Sequence, residues 1–101
     1  MIQSKNDIFF LIKKNQHKIK SFGVKKLGLF GSFCRQEQNS DSDVDFLVDF
    51  EGDKKTFDNF INLSFFLEEL MSRKIELVTP ESISPYFKTT ILNEVEYVSF
   101  N

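Results

Sequence analysis

The 101-residue chain is poor in the residues that form disulfides, soft-metal clusters and membrane spans. Its one cysteine, Cys34, has no partner within the chain, and its one histidine, His17, has no second imidazole or thiol nearby with which to share a metal. No run of about 18 apolar residues is present, which excludes a membrane-spanning helix. The N-terminal segment also lacks the apolar core and small-residue cleavage site of a secretory signal. We therefore expect a cytoplasmic protein.

Tryptophan is absent as well, and only two tyrosines and two prolines occur, whereas there are 13 phenylalanines. The composition is 41% hydrophobic and 28% charged, which is typical of a globular domain. A chain of this length buries only about 60–65% of the surface of its unfolded form, so phenylalanine rings supply apolar area that a small core needs. We expect residues 1–101 to form a single domain, with some rings left to face a partner.

The small net charge of −2 conceals two regions of opposite sign. Residues 1–36 contain eight basic side chains and one acid, whereas residues 37–53 contain seven acids and no base. A basic region beside a carboxylate cluster suits a polyanion held through a divalent cation, although two solvated faces produce the same pattern. Four lysines of the first region are typical of a solvated helix face and do not indicate direct nucleic-acid contact: Lys13, Lys14, Lys18 and Lys20.

Helical and strand patterns alternate along the chain. Apolar spacing predicts a first helix capped by Asn6 or Asp7 and ending near Lys20, with Gly23 as its C-terminal stop. Residues 44–50 alternate between apolar and polar, which predicts a strand with its carboxylates on one face. The remaining elements are predicted as a strand over 27–30, one or two helical turns over 32–38, a helix from Thr56 to about Arg73, a strand over 74–79, a helix from Pro85 to about Asn93, and a short strand or docked extension over 95–100. This order predicts an α/β (α+β) fold in which a small mixed β-sheet is flanked by helices.

Residues 29–48 bring together two features that suit a metal-bound triphosphate. Gly31 and Ser32 lie where a strand is predicted to turn into a helix, so free backbone N–H groups and a hydroxyl can face phosphate oxygens. Asp43 and Asp45 are two residues apart on a predicted strand and therefore share a face. Paired carboxylates of this kind suit Mg²⁺, which prefers oxygen ligands and binds phosphate at the same time.

In this order and spacing, the residues resemble the minimal nucleotidyltransferases of the DNA polymerase β-like superfamily. The family signature is Gly-Ser, ten intervening residues and then Asp-x-Asp, which matches residues 31–32 and 43–45. A later family segment carries a third carboxylate on a strand, and residues 75–79 match it with Glu76 in that place. Residues 83–85 and the predicted helix after them resemble the family's ending, so the resemblance covers nearly the whole chain. It implies the nucleotidyltransferase (polymerase β-like) fold.

The resemblance also implies roles for particular side chains. Three carboxylates would form the catalytic centre and hold two Mg²⁺ ions, the third also helping to deprotonate the attacking hydroxyl: Asp43, Asp45 and Glu76. Four residues would bind the nucleotide: Gly31, Ser32, Arg35 and Ser42. Two positions depart from the family pattern, because Glu76 stands where the family usually has Asp and Gln36 where it usually has Gly.

Small members of this family are commonly antitoxins encoded beside a HEPN-type ribonuclease toxin. The resemblance therefore implies an enzyme that transfers AMP from ATP to a hydroxyl of such a toxin, most often a tyrosine, within a hetero-oligomer away from the membrane. Two alternatives stay open. One is a catalytically weak or inactive antitoxin that neutralises the toxin by binding it, and the other is a nucleotidyltransferase acting on a small molecule.

The helix predicted over 56–71 has apolar residues around more than half of its circumference, with Phe65 among its polar positions. Either this helix is buried on two sides within its own domain, or part of it is a partner interface. Cys34, although it lies beside Arg35, is predicted to be a structural thiol.

Overall fold

A four-stranded mixed sheet forms the centre of the fold in a computed structural model that describes residue 2 and residues 4–100. The strands are β1 (Val24–Phe30), β2 (Val44–Phe50), β3 (Ile75–Val78) and β4 (Glu96–Tyr97), and their order in the sheet is β3-β2-β1-β4. Strand β1, one of the two inner strands, is antiparallel to both of its neighbours, whereas β2 and β3 are parallel. The helices are α1 (Lys5–Lys14), α2 (Gln16–Ser21), α3 (Gly31–Arg35), α4 (Phe57–Met71) and α5 (Pro85–Glu94), and two short 3-10 helices span Gly52–Lys54 and Pro80–Ser82. This architecture confirms the predicted fold class.

The first helix differs from its prediction at its start and in its middle. Ser4, and neither Asn6 nor Asp7, is the N-cap: the Ser4 hydroxyl accepts from the Asp7 backbone N–H, and the Asp7 carboxylate accepts from the Ser4 N–H. The helix is then interrupted at Asn15, whose side-chain amide donates to the Leu11 carbonyl at 2.8 Å and so separates α1 from α2. The predicted stop at Gly23 is confirmed, since its φ of 85° follows directly on the end of α2.

The alternation predicted for β2 divides the protein into two apolar layers. Val44, Phe46, Val48 and Phe50 enter the main core with residues of α1, α2 and α4. Leu47 points to the opposite face of the sheet, where it joins a smaller cluster with Phe30 and Ile83. The bounds of β2 are those predicted from the sequence, whereas β1 begins three residues earlier than predicted, at Val24.

Helix α4 is anchored by the predicted Thr56 cap, whose hydroxyl accepts from the Asn59 backbone N–H at 3.1 Å. It buries Leu63, Leu67 and Met71 in the main core. Phe57 and Phe65 remain exposed, at 77% and 63% of their full surface. The helix is thus core along one face and carries uncovered rings elsewhere. None of the helices in the described ranges has the length and apolar character needed to cross a membrane.

Candidate active site

The sheet register brings three of the predicted site residues together. Asp45 on β2 lies opposite Glu76 on parallel β3, and on its other side lies opposite Phe30, the last residue of β1. Gly31 follows Phe30 directly and begins α3. Residues directly opposite on neighbouring strands point to the same face, so Asp45 and Glu76 are side by side on the face away from the main core.

Gly31 is a position that a side chain cannot occupy without disturbing Asp45. Its φ is 78°, which favours glycine. A Cβ built on Gly31 would overlap the Asp45 carboxylate oxygen and lie 2.9 Å from Asp45 Cγ. The Gly-Ser turn and the strand carboxylate therefore form one packed unit, although they are fourteen residues apart in the chain.

The electrostatics of this unit favour a bound cation. Burial, followed by the negative charges of Glu76 and Asp43 and a hydrogen bond to Glu76, raises the pKa of Asp45 from 3.8 to about 6, while Arg35 acts in the opposite direction. A carboxylate whose ionisation is opposed by burial and by neighbouring negative charges suits a site that a positive ion completes. Carboxylate oxygens are hard donors of the kind that Mg²⁺ prefers.

The donor set supplied by the protein is small. Within residue 2 and residues 4–100, no three Asp, Glu, His or Cys side chains are gathered into a group that could hold a metal ion unaided. Magnesium is usually held by one or two carboxylates together with substrate phosphate oxygens. The neighbouring pair Asp45 and Glu76 fits that protein share, and Asp43 lies in the loop directly before β2.

Glu94, at the end of α5, lies at the Gly-Ser turn and is a residue that sequence reasoning missed. Its Oε1 accepts from the Gly31 backbone N–H at 2.6 Å and from Arg35 Nη1 at 2.8 Å. Glu37 accepts from the Nε of the same arginine at 2.9 Å. The Gly31 N–H, one of the groups predicted to face phosphate, is thus already bonded to the Glu94 carboxylate. The Arg35 guanidinium, also predicted to contact the nucleotide, is bonded to the carboxylates of Glu94 and Glu37.

The loop between α3 and β2 is closed by its own polar groups. Ser42 Oγ accepts from the Asn39 backbone N–H at 2.9 Å, and Asn39 Oδ1 accepts from the Asp41 N–H at 2.8 Å. The predicted nucleotide ligand Ser42 therefore holds the turn that precedes Asp43. A nucleotide contact of the Ser42 hydroxyl stays a prediction.

Arg73, a second residue missed from the sequence, fastens this loop to the body of the protein. Its Nη1 donates to the carbonyl of Ser42 at 2.9 Å and to the carbonyl of Ser40 at 3.3 Å. Its guanidinium also lies 5.0 Å from the ring centre of Phe33, a buried residue of α3. Arg73 therefore links the segment after Ser32 with the segment before Asp43, the two halves of the sequence signature.

We expect Arg73→Met to loosen this loop because methionine cannot donate to its carbonyls. Hydrogen exchange of the amides of residues 39–42 should accelerate, and stability should fall by about 1.5–3 kcal/mol, the range for hydrogen bonds to a charged group. The matched control is Lys74→Met at the neighbouring exposed position, which should leave exchange in the loop unchanged. Equal exchange in the two variants would contradict the role given to Arg73.

Gln36 is one of the two departures from the family pattern, and its backbone conformation explains why glycine suits this position. It follows α3 with φ 61° and ψ 37°, a left-handed conformation in which glycine has no steric penalty. We expect Gln36→Gly to raise the free energy of unfolding by about 0.5–1 kcal/mol, because relief of the left-handed strain exceeds the added freedom of the unfolded chain. Denaturant unfolding measures this. Ser72→Gly, at φ 53°, should give a similar gain, and a lower midpoint for both variants would refute the argument.

Cys34 has the properties expected of a structural thiol. Burial, followed by the charge of Glu96, raises its pKa, and its Sγ lies 3.4 Å from the Glu94 carbonyl oxygen. The thiol form is therefore favoured over the nucleophilic thiolate.

Comparison with known proteins agrees with this geometry. Residues 11–98 match the family model described as a nucleotidyltransferase domain. The chain is 44% identical over 77 residues to the protein adenylyltransferase MntA of Thermococcus cleftensis, an alignment that covers 76% of this chain and 77% of that protein.

Solved structures share the fold. A minimal nucleotidyltransferase structure matches with a TM-score of 0.70 at 26% identity, over 87% of this chain and 93% of that one. A chain from the complex of tri-AMPylated Shewanella oneidensis HEPN toxin with MNT antitoxin matches with a TM-score of 0.63 at 16% identity, over 92% of this chain and 73% of that one. The family expected from the sequence is thus confirmed, and the chain belongs to the nucleotidyltransferase domain family, as an enzyme of the minimal nucleotidyltransferase type.

Proposed function

We propose that this protein is a Mg²⁺-dependent antitoxin that transfers AMP from ATP to a tyrosine hydroxyl of a HEPN-type ribonuclease toxin. The observation that supports the proposal is the packing of Asp45 between Gly31 and Glu76, because two carboxylates then lie beside a turn whose backbone and hydroxyl groups suit phosphate. The similarity to a protein adenylyltransferase and to the AMPylated toxin complex supports AMP as the transferred group and a HEPN protein as the acceptor.

Each part of the site would have its own role. The turn at Gly31 and Ser32 would offer backbone N–H groups and a hydroxyl to the β- and γ-phosphates, once the hydrogen bond between the Gly31 N–H and Glu94 is broken. Asp43, Asp45 and Glu76 would hold the two Mg²⁺ ions. When bound, these ions neutralise the phosphate charge in the transition state of an in-line displacement.

Glu76 faces the acceptor in this scheme. It is exposed at the edge of the site, whereas Asp45 is partly buried behind it. A carboxylate in that position can take the proton of the attacking hydroxyl as its oxygen bonds to the α-phosphorus, and pyrophosphate leaves. The extra methylene of Glu76, compared with the usual Asp, extends the carboxylate toward the acceptor side.

The direct test is the intact mass of a HEPN-type toxin from the same genome after incubation with this protein and Mg-ATP. A mass increase of one or more AMP groups, mapped to a tyrosine by fragmentation, is the expected result. An unmodified toxin in a stable, inactive complex would instead establish the binding-only antitoxin. That second function is favoured by one observation, the exposed rings Phe57 and Phe65 on α4.

A further inference from the structure

The face of the sheet that carries the carboxylates continues into a small pocket beneath α5. The pocket has a volume of about 190 Å³ and lies beside Glu76. Its walls are largely apolar, supplied by Phe30 at the end of β1, Ile83 before α5, and Phe87 and Ile91 on α5. The same apolar residues, apart from Phe87, belong to the smaller cluster on this face.

The dimensions of this pocket select a small occupant. Pockets for drug-sized ligands and cofactors usually measure about 300–1,000 Å³, so this one is too small for a whole nucleotide. A single side chain is an occupant of suitable size for a pocket of this volume. The walls favour an apolar body, and the one charged group on the lining, Glu76, lies at the end nearest Asp45.

One wall of the pocket is a ring that the isolated chain leaves uncovered. Phe87 is 61% exposed, although it lines the cavity. An exposed phenylalanine beside a catalytic carboxylate has an unused apolar face that a second aromatic ring can cover, in the offset or edge-to-face contacts that such rings favour. A partner protein, and not a sugar or other polar small molecule, suits this surface.

We propose that this pocket receives the phenol side chain of the acceptor tyrosine, with its ring against Phe87 and Ile91 and its hydroxyl toward Glu76. The inference rests on the proposed function and deepens it, because it gives the site its preference for tyrosine over serine or threonine. The phenolic oxygen forms a bond to the α-phosphorus of ATP while the bond between the α-phosphorus and the bridging oxygen to the β-phosphate breaks. Pyrophosphate leaves, and the phenolic proton follows the route already given.

The test compares Phe87→Ala with Leu92→Ala, two exposed apolar positions on α5 of which only Phe87 lines the pocket. Transfer is measured at saturating Mg-ATP over a range of concentrations of the HEPN-type toxin, which gives kcat/KM for the toxin, and ATP affinity is measured separately by titration. We expect Phe87→Ala to slow transfer about 10-fold or more, the effect of a lost apolar contact in a specificity pocket, with ATP affinity unchanged. Leu92→Ala should stay within about 2-fold of the wild type, since its side chain does not line the pocket.

Each other outcome overturns the inference in a recognisable way. A Phe87→Ala variant that transfers at the wild-type rate shows that the acceptor ring lies elsewhere. Weaker ATP binding in that variant assigns the pocket to the nucleobase. A wild-type protein that transfers no AMP under these conditions refutes the proposed function itself, and the pocket assignment falls with it.

Discussion

Replacing Asp45 by asparagine is expected to lower the rate of AMP transfer by roughly a thousandfold, which corresponds to about 4 kcal/mol of lost transition-state stabilisation. The amide has nearly the same shape as the carboxylate but carries no charge with which to hold a cation. Asp45 is also the carboxylate that contacts both the Gly-Ser turn and Glu76, so no neighbour can take its place. Transfer is measured as AMP incorporated into the toxin over time.

The control for this substitution is Asp49→Asn on the same strand. Asp49 lies four residues beyond Asp45 on the same face of β2, is paired with Lys26 on β1, and is partly buried like Asp45. It should keep nearly the full transfer rate. If Asp45→Asn retained AMP transfer, the carboxylate would not be catalytic. If it lost transfer but the toxin stayed neutralised, binding alone would account for the antitoxin activity.

The loss of transfer should not come from unfolding, because in the absence of Mg²⁺ the same substitution removes an unfavourable charge. The pKa of Asp45 is raised to about 6 by burial first, and then by Glu76 and Asp43. Since this folded-state value lies above the unfolded value of 3.8, ionisation of Asp45 lowers stability as pH rises through that interval, and the penalty persists at neutral pH. Allowing for the carboxylate's contact with water, we expect Asp45→Asn to gain about 1 kcal/mol at about pH 7 and nothing near about pH 3. Thermal unfolding of the variant and the wild type in the presence of EDTA, at each of these pH values, measures the two stability differences.

The parts of the site that the sequence predicted are those encoded over short distances. The alternation of residues 44–50 is a local pattern, and it fixed the strand bounds and the face of Asp45 without reference to the rest of the chain. Thr56 and Gly23 likewise act on the adjacent turn of helix. The Ser4 cap was missed although it is local, because Asn6 and Asp7 are equally good capping residues, and only the geometry shows that Asp7 reciprocates as the third helical residue.

The residues that sequence reasoning missed act over long distances. Glu94 contacts Gly31 across 63 positions, and Arg73 contacts Ser42 across 31. Neither contact leaves a periodic signal, because each depends on how α5 and the end of α4 are carried across the sheet. A sequence can therefore predict which residues would bear the chemistry, but it gives no sign of the distant charged side chains that contact them.

Replacing Gly31 by alanine is expected to lower the rate of AMP transfer about 100-fold. A Cβ at this position would overlap the Asp45 carboxylate and displace it. Displacements of about 1 Å in a catalytic site have effects of that size. The left-handed φ of 78° adds a strain of about 1–2 kcal/mol, which should appear as a lower midpoint of denaturant unfolding. Gly52→Ala is the matched control: its φ is also positive, at 36°, but no atom lies within 4 Å of a Cβ there. It should lose a comparable or smaller amount of stability and none of its transfer rate. If the two alanine variants lost transfer equally, backbone strain alone would be responsible, and the close packing of the Gly-Ser turn on Asp45 would have no part in catalysis.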